Sequence, residues 1–86
     1  MQVILVYDTA VKHNPKALRT CRRYLHWVQR SVFEGQLTPA QLRQLHADLK
    51  AVLDSLDSVI VYMVDGPATL TREVWGCEHG NTDSIL

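Results

Sequence analysis

What this chain has little of narrows its class quickly. Cysteine occurs twice in 86 residues, at Cys21 and Cys77, which excludes the disulfide framework of a small secreted domain. Glycine occurs four times and never in a cluster, so there is no Gly-rich phosphate loop. The longest apolar runs, Val3 to Tyr7 and Val59 to Val64, fall far short of the roughly 20 residues that span a bilayer. No basic stretch precedes the first of them, so no secretory signal is indicated and a cytoplasmic protein without membrane contact is expected. Internal repeats and low-complexity segments are also lacking. What is present, 47% hydrophobic and 21% charged residues, is ordinary for a folded domain and excludes disorder.

Net charge is zero, but the charge is unevenly spread. Residues 1 to 30 carry six basic side chains (Lys12, Lys16, Arg19, Arg22, Arg23 and Arg30) against the single acid Asp8. Residues 31 to 86 carry Arg43, Lys50 and Arg72 against eight acids. Such polarity gives the molecule one basic surface, suited to a polyanion or simply to water.

The pattern of elements is readable. Val3 to Tyr7 reads as a strand buried on both faces and stops on Asp8. Asn14 can cap a helix with Pro15 at its first position, and Ala17, Leu18, Cys21, Tyr24 and Leu25 recur at helical spacing. Lys16, Arg19, Arg22, Arg23 and His26 occupy its other side. Trp27 to Gly35 reads as strand, with Gly35 supplying a turn or bulge before a short return through Leu37. Thr38, Pro39 and Gln41 form a helix start with a capping box. Leu42, Leu45, Leu49, Val52, Leu53 and Leu56 then make one apolar stripe, ending near Asp54. Val59 to Val64 is a second strand apolar on both faces, Asp65-Gly66-Pro67 turns the chain, and Thr71 to Trp75 is a last short strand.

The order is β-α-β-β-α-β with an extra C-terminal strand, an α+β ferredoxin-like domain. We expect one domain over 1–86, with 1–66 as the core and 67–86 as a strand and tail that meet partners. Helices in this architecture cover one face of the sheet. Strands apolar on both sides leave the other face in need of a cover, and a second copy packed sheet to sheet is the simplest one.

Asp8 at a strand end is either a turn former or an acid held at the sheet edge for chemistry. In a twofold dimer two such carboxylates would repel unless a cation lay between them, and Mg²⁺ suits carboxylate and water oxygens. A metal-bound water could then attack a phosphodiester. Other groupings are weaker. Cys77-Glu78-His79 lacks the four ligands of a structural zinc site. His13, His26, His46 and His79 share no spacing, and His46 borders the leucine stripe. Ser31 has no His and acid nearby for a triad. Trp27 and Phe33 could stack on bases, although aromatics in strands more often pack in a core or interface.

The residues Val6-Tyr7-Asp8, Cys21-Arg22-Arg23-Tyr24-Leu25 and Trp27-Val28-Gln29-Arg30-Ser31-Val32-Phe33-Glu34-Gly35 resemble the Cas-two family of small CRISPR-associated adaptation proteins. The resemblance continues through the Leu-rich helix, Asp57-Ser58-Val59 and Arg72-Glu73-Val74-Trp75-Gly76. It implies a ferredoxin-like homodimer that assembles with Cas-one integrase dimers in a heterohexamer during spacer acquisition and contacts the incoming duplex DNA. It also implies an Mg²⁺-dependent endonuclease on single-stranded RNA or on DNA, with one ion shared between the two Asp8 of a dimer. Asp8 is then the metal-binding and catalytic residue, and Tyr7, Ser31 and Phe33 surround its cleft.

The chain departs from the common family pattern. Thr9 to Asn14 contains no second acid, and Trp27 stands where a basic residue often precedes Val-Gln. Phosphate binding asks only for well-placed positive charge, which Lys12, Lys16, Arg19, Arg22, Arg23 and Arg30 supply. The expected function is a nucleic-acid-binding scaffold of CRISPR adaptation with nuclease chemistry at Asp8. The alternative is a stand-alone, toxin-like metal-dependent ribonuclease on the same fold.

Overall fold

The computed structural model describes residues 1–78. Strand β1 (Gln2–Asp8) leads through a 3₁₀ turn (Val11–His13) into α1 (Asn14–Arg22). A hairpin of β2 (His26–Gln29) and β3 (Val32–Gln36), helix α2 (Pro39–Val52), and strands β4 (Ser58–Val64) and β5 (Leu70–Gly76) follow. The strands form one sheet in the order β2-β3-β1-β4-β5, with every neighbouring pair antiparallel. This is the expected ferredoxin-like α+β fold with its added strand.

Period-2 alternation sorts the strands onto two faces. Val3, Leu5 and Tyr7 of β1, Phe33 of β3, Val59, Val61 and Met63 of β4, and Trp75 of β5 are buried beneath the helices. Ala17 and Cys21 of α1 and Leu42, Leu45 and Leu49 of α2 close the core from above. The start of α2 is built as expected: Thr38 accepts from the Gln41 N–H, and the Gln41 side chain accepts from the Thr38 N–H. Between the helices, Arg23 and the Tyr24 hydroxyl both donate to Asp48.

Among the described residues, the opposite face has no covering layer. Register aligns Val32, Val6, Ile60 and Val74 in one row across the sheet. The next rows carry Ile4 with Tyr62, and Val64 with Leu70. Ile4, Val64 and Leu70 are 38%, 39% and 67% exposed. Against the described residues of one chain, the strands expected to be buried on both sides are fully buried on one side only. No helix among the described residues is long and apolar enough to cross a membrane.

Four local expectations need correction. Asn14 does not cap α1: it already has helical angles, because the 3₁₀ turn continues into the helix, and its side-chain oxygen accepts from the Thr9 hydroxyl. Helix α1 stops at Arg22, so His26 belongs to β2. The hairpin turns at Arg30-Ser31 and not at Gly35. Gly35 lies inside β3, where an added Cβ would come within 3.1 Å of Leu25, so close packing accounts for the glycine. Finally, α2 ends at Val52, and Leu56, 74% exposed, lies outside its apolar stripe.

Strand β5 is hydrogen-bonded along β4, and its Trp75 is part of the core. The expected tail of Gly80 and Asp83 to Leu86, and His79, lie outside the described residues.

Candidate nucleic-acid and metal site

Asp8 closes β1 on the open face, opposite Ser58 in the register. It is exposed and lines a cleft of about 580 Å³ with Tyr7, Thr9, Asn14, Pro15, Leu18, Arg30 and Ser31. Among the described residues Asp8 and Arg30 are the two charged groups that line it. The end of β1 is tied to the hairpin turn, since the Tyr7 N–H donates to the Ser31 carbonyl at 3.1 Å.

The expected cleft neighbours divide. Tyr7 and Ser31 line the cleft. Phe33 does not; it is fully buried and stacks beneath Tyr7, with ring centroids 6.1 Å apart. Burial, with help from Cys21, pushes the Tyr7 phenol above its ordinary pKa, so it stays protonated at neutral pH. Trp27 is 53% exposed on the edge strand and donates its indole N–H to the Arg30 carbonyl at 2.7 Å.

Lys12, Lys16, Arg19, Arg22, Arg23 and Arg30 are all exposed. Lys16, Arg19 and Arg22 belong to α1, Lys12 to the turn before it, and Arg23 to its C-terminal cap. Arg23 is engaged with Asp48 at 3.0 Å and lies over the Tyr24 ring, which ties part of its charge to α2.

One grouping was not legible from spacing. The His13 ring, with its proton on Nδ1, donates to Asp57 Oδ2 at 2.6 Å across 44 residues of sequence. The Ala10 N–H donates to the other oxygen at 2.8 Å, and the Asp54 N–H to Oδ2 at 3.0 Å. Burial alone would raise the Asp57 pKa, but the bonds from Asp54, Ala10 and His13 outweigh it and hold the carboxyl below its ordinary value. His13, Asp54 and Asp57 bring one ligand atom each within 4.8 Å of one another, a set that could hold a metal ion. Asp57 is 3% exposed with both oxygens engaged, so an ion there would displace bonds that fasten the loop after β1 to the turn before β4.

The Asp8 cleft is lined by oxygen-bearing side chains: the Asp8 carboxylate, the Ser31 hydroxyl, and the Thr9 hydroxyl and Asn14 amide, which are bonded to each other. Mg²⁺ is held in this way, by one or two carboxylates with water and substrate oxygens completing the shell. A signal for His13 and Asp57 did exist in the sequence, since an acid just before a buried strand is well placed to bond a neighbouring loop. Only the register shows which loop.

Comparisons with known proteins agree on the family. The family model described as "CRISPR associated protein Cas2" matches residues 1–70. A Frankia alni protein named "CRISPR-associated endoribonuclease Cas2" is 56% identical over 87 residues, covering 100% of both chains. A solved structure titled "Crystal structure of cas2" superposes with a TM-score of 0.73 at 36% identity, over 100% of this chain and 98% of the other. Streptococcus pyogenes Cas2 superposes with a TM-score of 0.69 at 29% identity, over 76% and 87%. With the fold, the five-strand order and the acid ending β1 already in place, the chain belongs to the CRISPR-associated Cas2 family.

Proposed function

We propose that this protein is a dimeric nucleic-acid-binding component of CRISPR adaptation whose paired Asp8 residues support metal-dependent phosphodiester cleavage. The observation that carries the proposal is the position of Asp8. It sits on the uncovered sheet face, one row beyond the apolar row Val32, Val6, Ile60 and Val74. A second copy laid on that row by a twofold axis would remove the apolar surface from water and bring the two carboxylates to a common edge. Relatives carrying the name endoribonuclease support RNA as the phosphodiester substrate.

Asp8 would hold Mg²⁺, assisted by the Thr9, Ser31 and Asn14 oxygens. When bound, the ion supplies charge neutralisation at phosphate oxygens and lowers the pKa of a coordinated water. The chain's own residues do the rest. The Tyr7–Ser31 backbone bond ties the end of β1 to the hairpin turn, and Tyr7 of the cleft lining stacks on the buried Phe33. In hydrolysis a water oxygen bonds to phosphorus as the bond from phosphorus to the departing sugar oxygen breaks. The attacking water gives one proton to solvent, and the departing sugar oxygen takes one from solvent.

The cations on and beside α1 would hold nucleic-acid phosphates without reading sequence, which suits a scaffold bridging Cas-one integrase dimers on duplex DNA. Strand β5 and the following residues are proposed to meet that partner. The test uses purified protein with Mg²⁺ or EDTA, labelled single-stranded RNA and duplex DNA, and the Asp8→Asn variant. Expected are Mg²⁺-dependent cleavage of RNA that Asp8→Asn abolishes, and integration with the integrase that Asp8→Asn retains. Cleavage that persists in Asp8→Asn would refute the catalytic assignment. Failure to co-purify with an integrase would favour a stand-alone ribonuclease.

A further inference from the structure

Arg30 is the one non-glycine residue with positive φ among the described residues, at 43°. A left-handed backbone is costly for a side chain with a Cβ. The two-residue hairpin loop Arg30-Ser31 calls for positive φ, but such positions normally go to Gly, Asn or Asp. Arginine has no local hydrogen bond to offer in return. The turn is also fastened on both sides: the Trp27 indole holds the Arg30 carbonyl at 2.7 Å, and the Tyr7 N–H holds the Ser31 carbonyl at 3.1 Å. A strained residue held by bonds on each flank, in the wall of a cleft, is the pattern that links strain to function.

The lining of the cleft carries the argument further. Arg30 lines the same 580 Å³ cleft as Asp8, and these are its two charged residues among those described. Asp8 is proposed to hold a cation, and a phosphodiester bound beside that cation needs its remaining non-bridging oxygens neutralised. A guanidinium does this with a planar pair of N–H donors.

We propose that Arg30 is the substrate-phosphate clamp of the Asp8 cleft, placed there by a left-handed turn that costs the fold stability. It touches the substrate phosphate and is in that sense a catalytic residue. The inference rests on the reading of the Asp8 cleft as the phosphodiester site, and it adds the cation that positions the reacting phosphate. It also makes a demand unlike that of a general basic surface, because stability and activity should move in opposite directions at this one position.

The experiment compares Arg30→Gly and Arg30→Lys with wild type by thermal melting, by binding of labelled single-stranded RNA in EDTA, and by Mg²⁺-dependent cleavage. Arg30→Gly is expected to melt at the same or a higher temperature, to bind RNA about tenfold more weakly, and to cleave at least about tenfold more slowly. Arg30→Lys keeps the charge without the planar fork, so it should fall between the two. Binding and cleavage within twofold of wild type in Arg30→Gly would overturn the proposal. So would a large fall in melting temperature in both variants, which would make Arg30 structural. If the wild type does not cleave at all, the nuclease reading fails on its own, while binding in EDTA still decides whether Arg30 holds phosphate.

Discussion

Replacing Asp57 with alanine tests whether a buried carboxylate fastens the loop that forms one side of the Asp8 cleft. Asp57 is 3% exposed and accepts bonds from Ala10 N–H at 2.8 Å, Asp54 N–H at 3.0 Å and His13 Nδ1 at 2.6 Å. A hydrogen bond to a charged group contributes about 1.5–3 kcal/mol net, and three on one carboxylate are not additive. Some of the released donors will find water. The expected loss is therefore about 3 kcal/mol, or roughly 15 °C in Tm for a domain of this size. Urea unfolding followed by tryptophan fluorescence, at fixed protein concentration, measures it.

The pH dependence adds a sign. The native carboxyl has a depressed pKa, below the ordinary 3.8, so its stabilisation is complete above that value and is lost as pH falls through the native pKa. The gap between wild type and Asp57→Ala should thus be wide at pH 7 and close in acid. Thr9 and Asn14, which flank the segment Ala10 to His13 that Asp57 holds, also line the cleft, so cleavage should weaken along with stability. A destabilisation below about 1 kcal/mol, or a gap that does not narrow in acid, would refute the reasoning.

Two further perturbations follow from the same packing. Gly76→Ala should cost at least about 2 kcal/mol in urea unfolding, because φ is 86° and the new Cβ would lie 2.2 Å from the Asp57 carbonyl oxygen. Cys21, fully buried with its thiol pushed up to about 12 by burial, should resist a thiol reagent until the protein unfolds, whereas half-buried Cys77 should react in the native state.

The fold was legible because its signals are local and agree with one another. Two apolar runs, a capping box at Thr38 and a leucine stripe at helical spacing each name one element, and their order leaves few topologies. The hairpin was misplaced because glycine is the usual sign of a turn. Here Gly35 answers to Leu25 packed 3.1 Å from its would-be Cβ, while an arginine takes the left-handed position. Leu56 fitted a helical period that the chain had already left at Val52. Asp8 was legible as a polar residue ending an apolar strand. The bonding of His13 to Asp57 was not, because it joins positions 44 residues apart that only the strand register brings together. The prominence of Arg30 was hidden for a similar reason: a backbone angle leaves no mark in a row of side chains.

The proposed dimerisation through the open sheet face underlies both the proposed paired Asp8 site and the proposed scaffold role, and the mass in solution decides it. Sedimentation equilibrium at micromolar concentration should give a particle of twice the 9.8 kDa chain mass, and Ile60→Lys in the middle of the apolar row should reduce it to 9.8 kDa. A wild-type particle of 9.8 kDa, or a dimer that Ile60→Lys leaves intact, would contradict it.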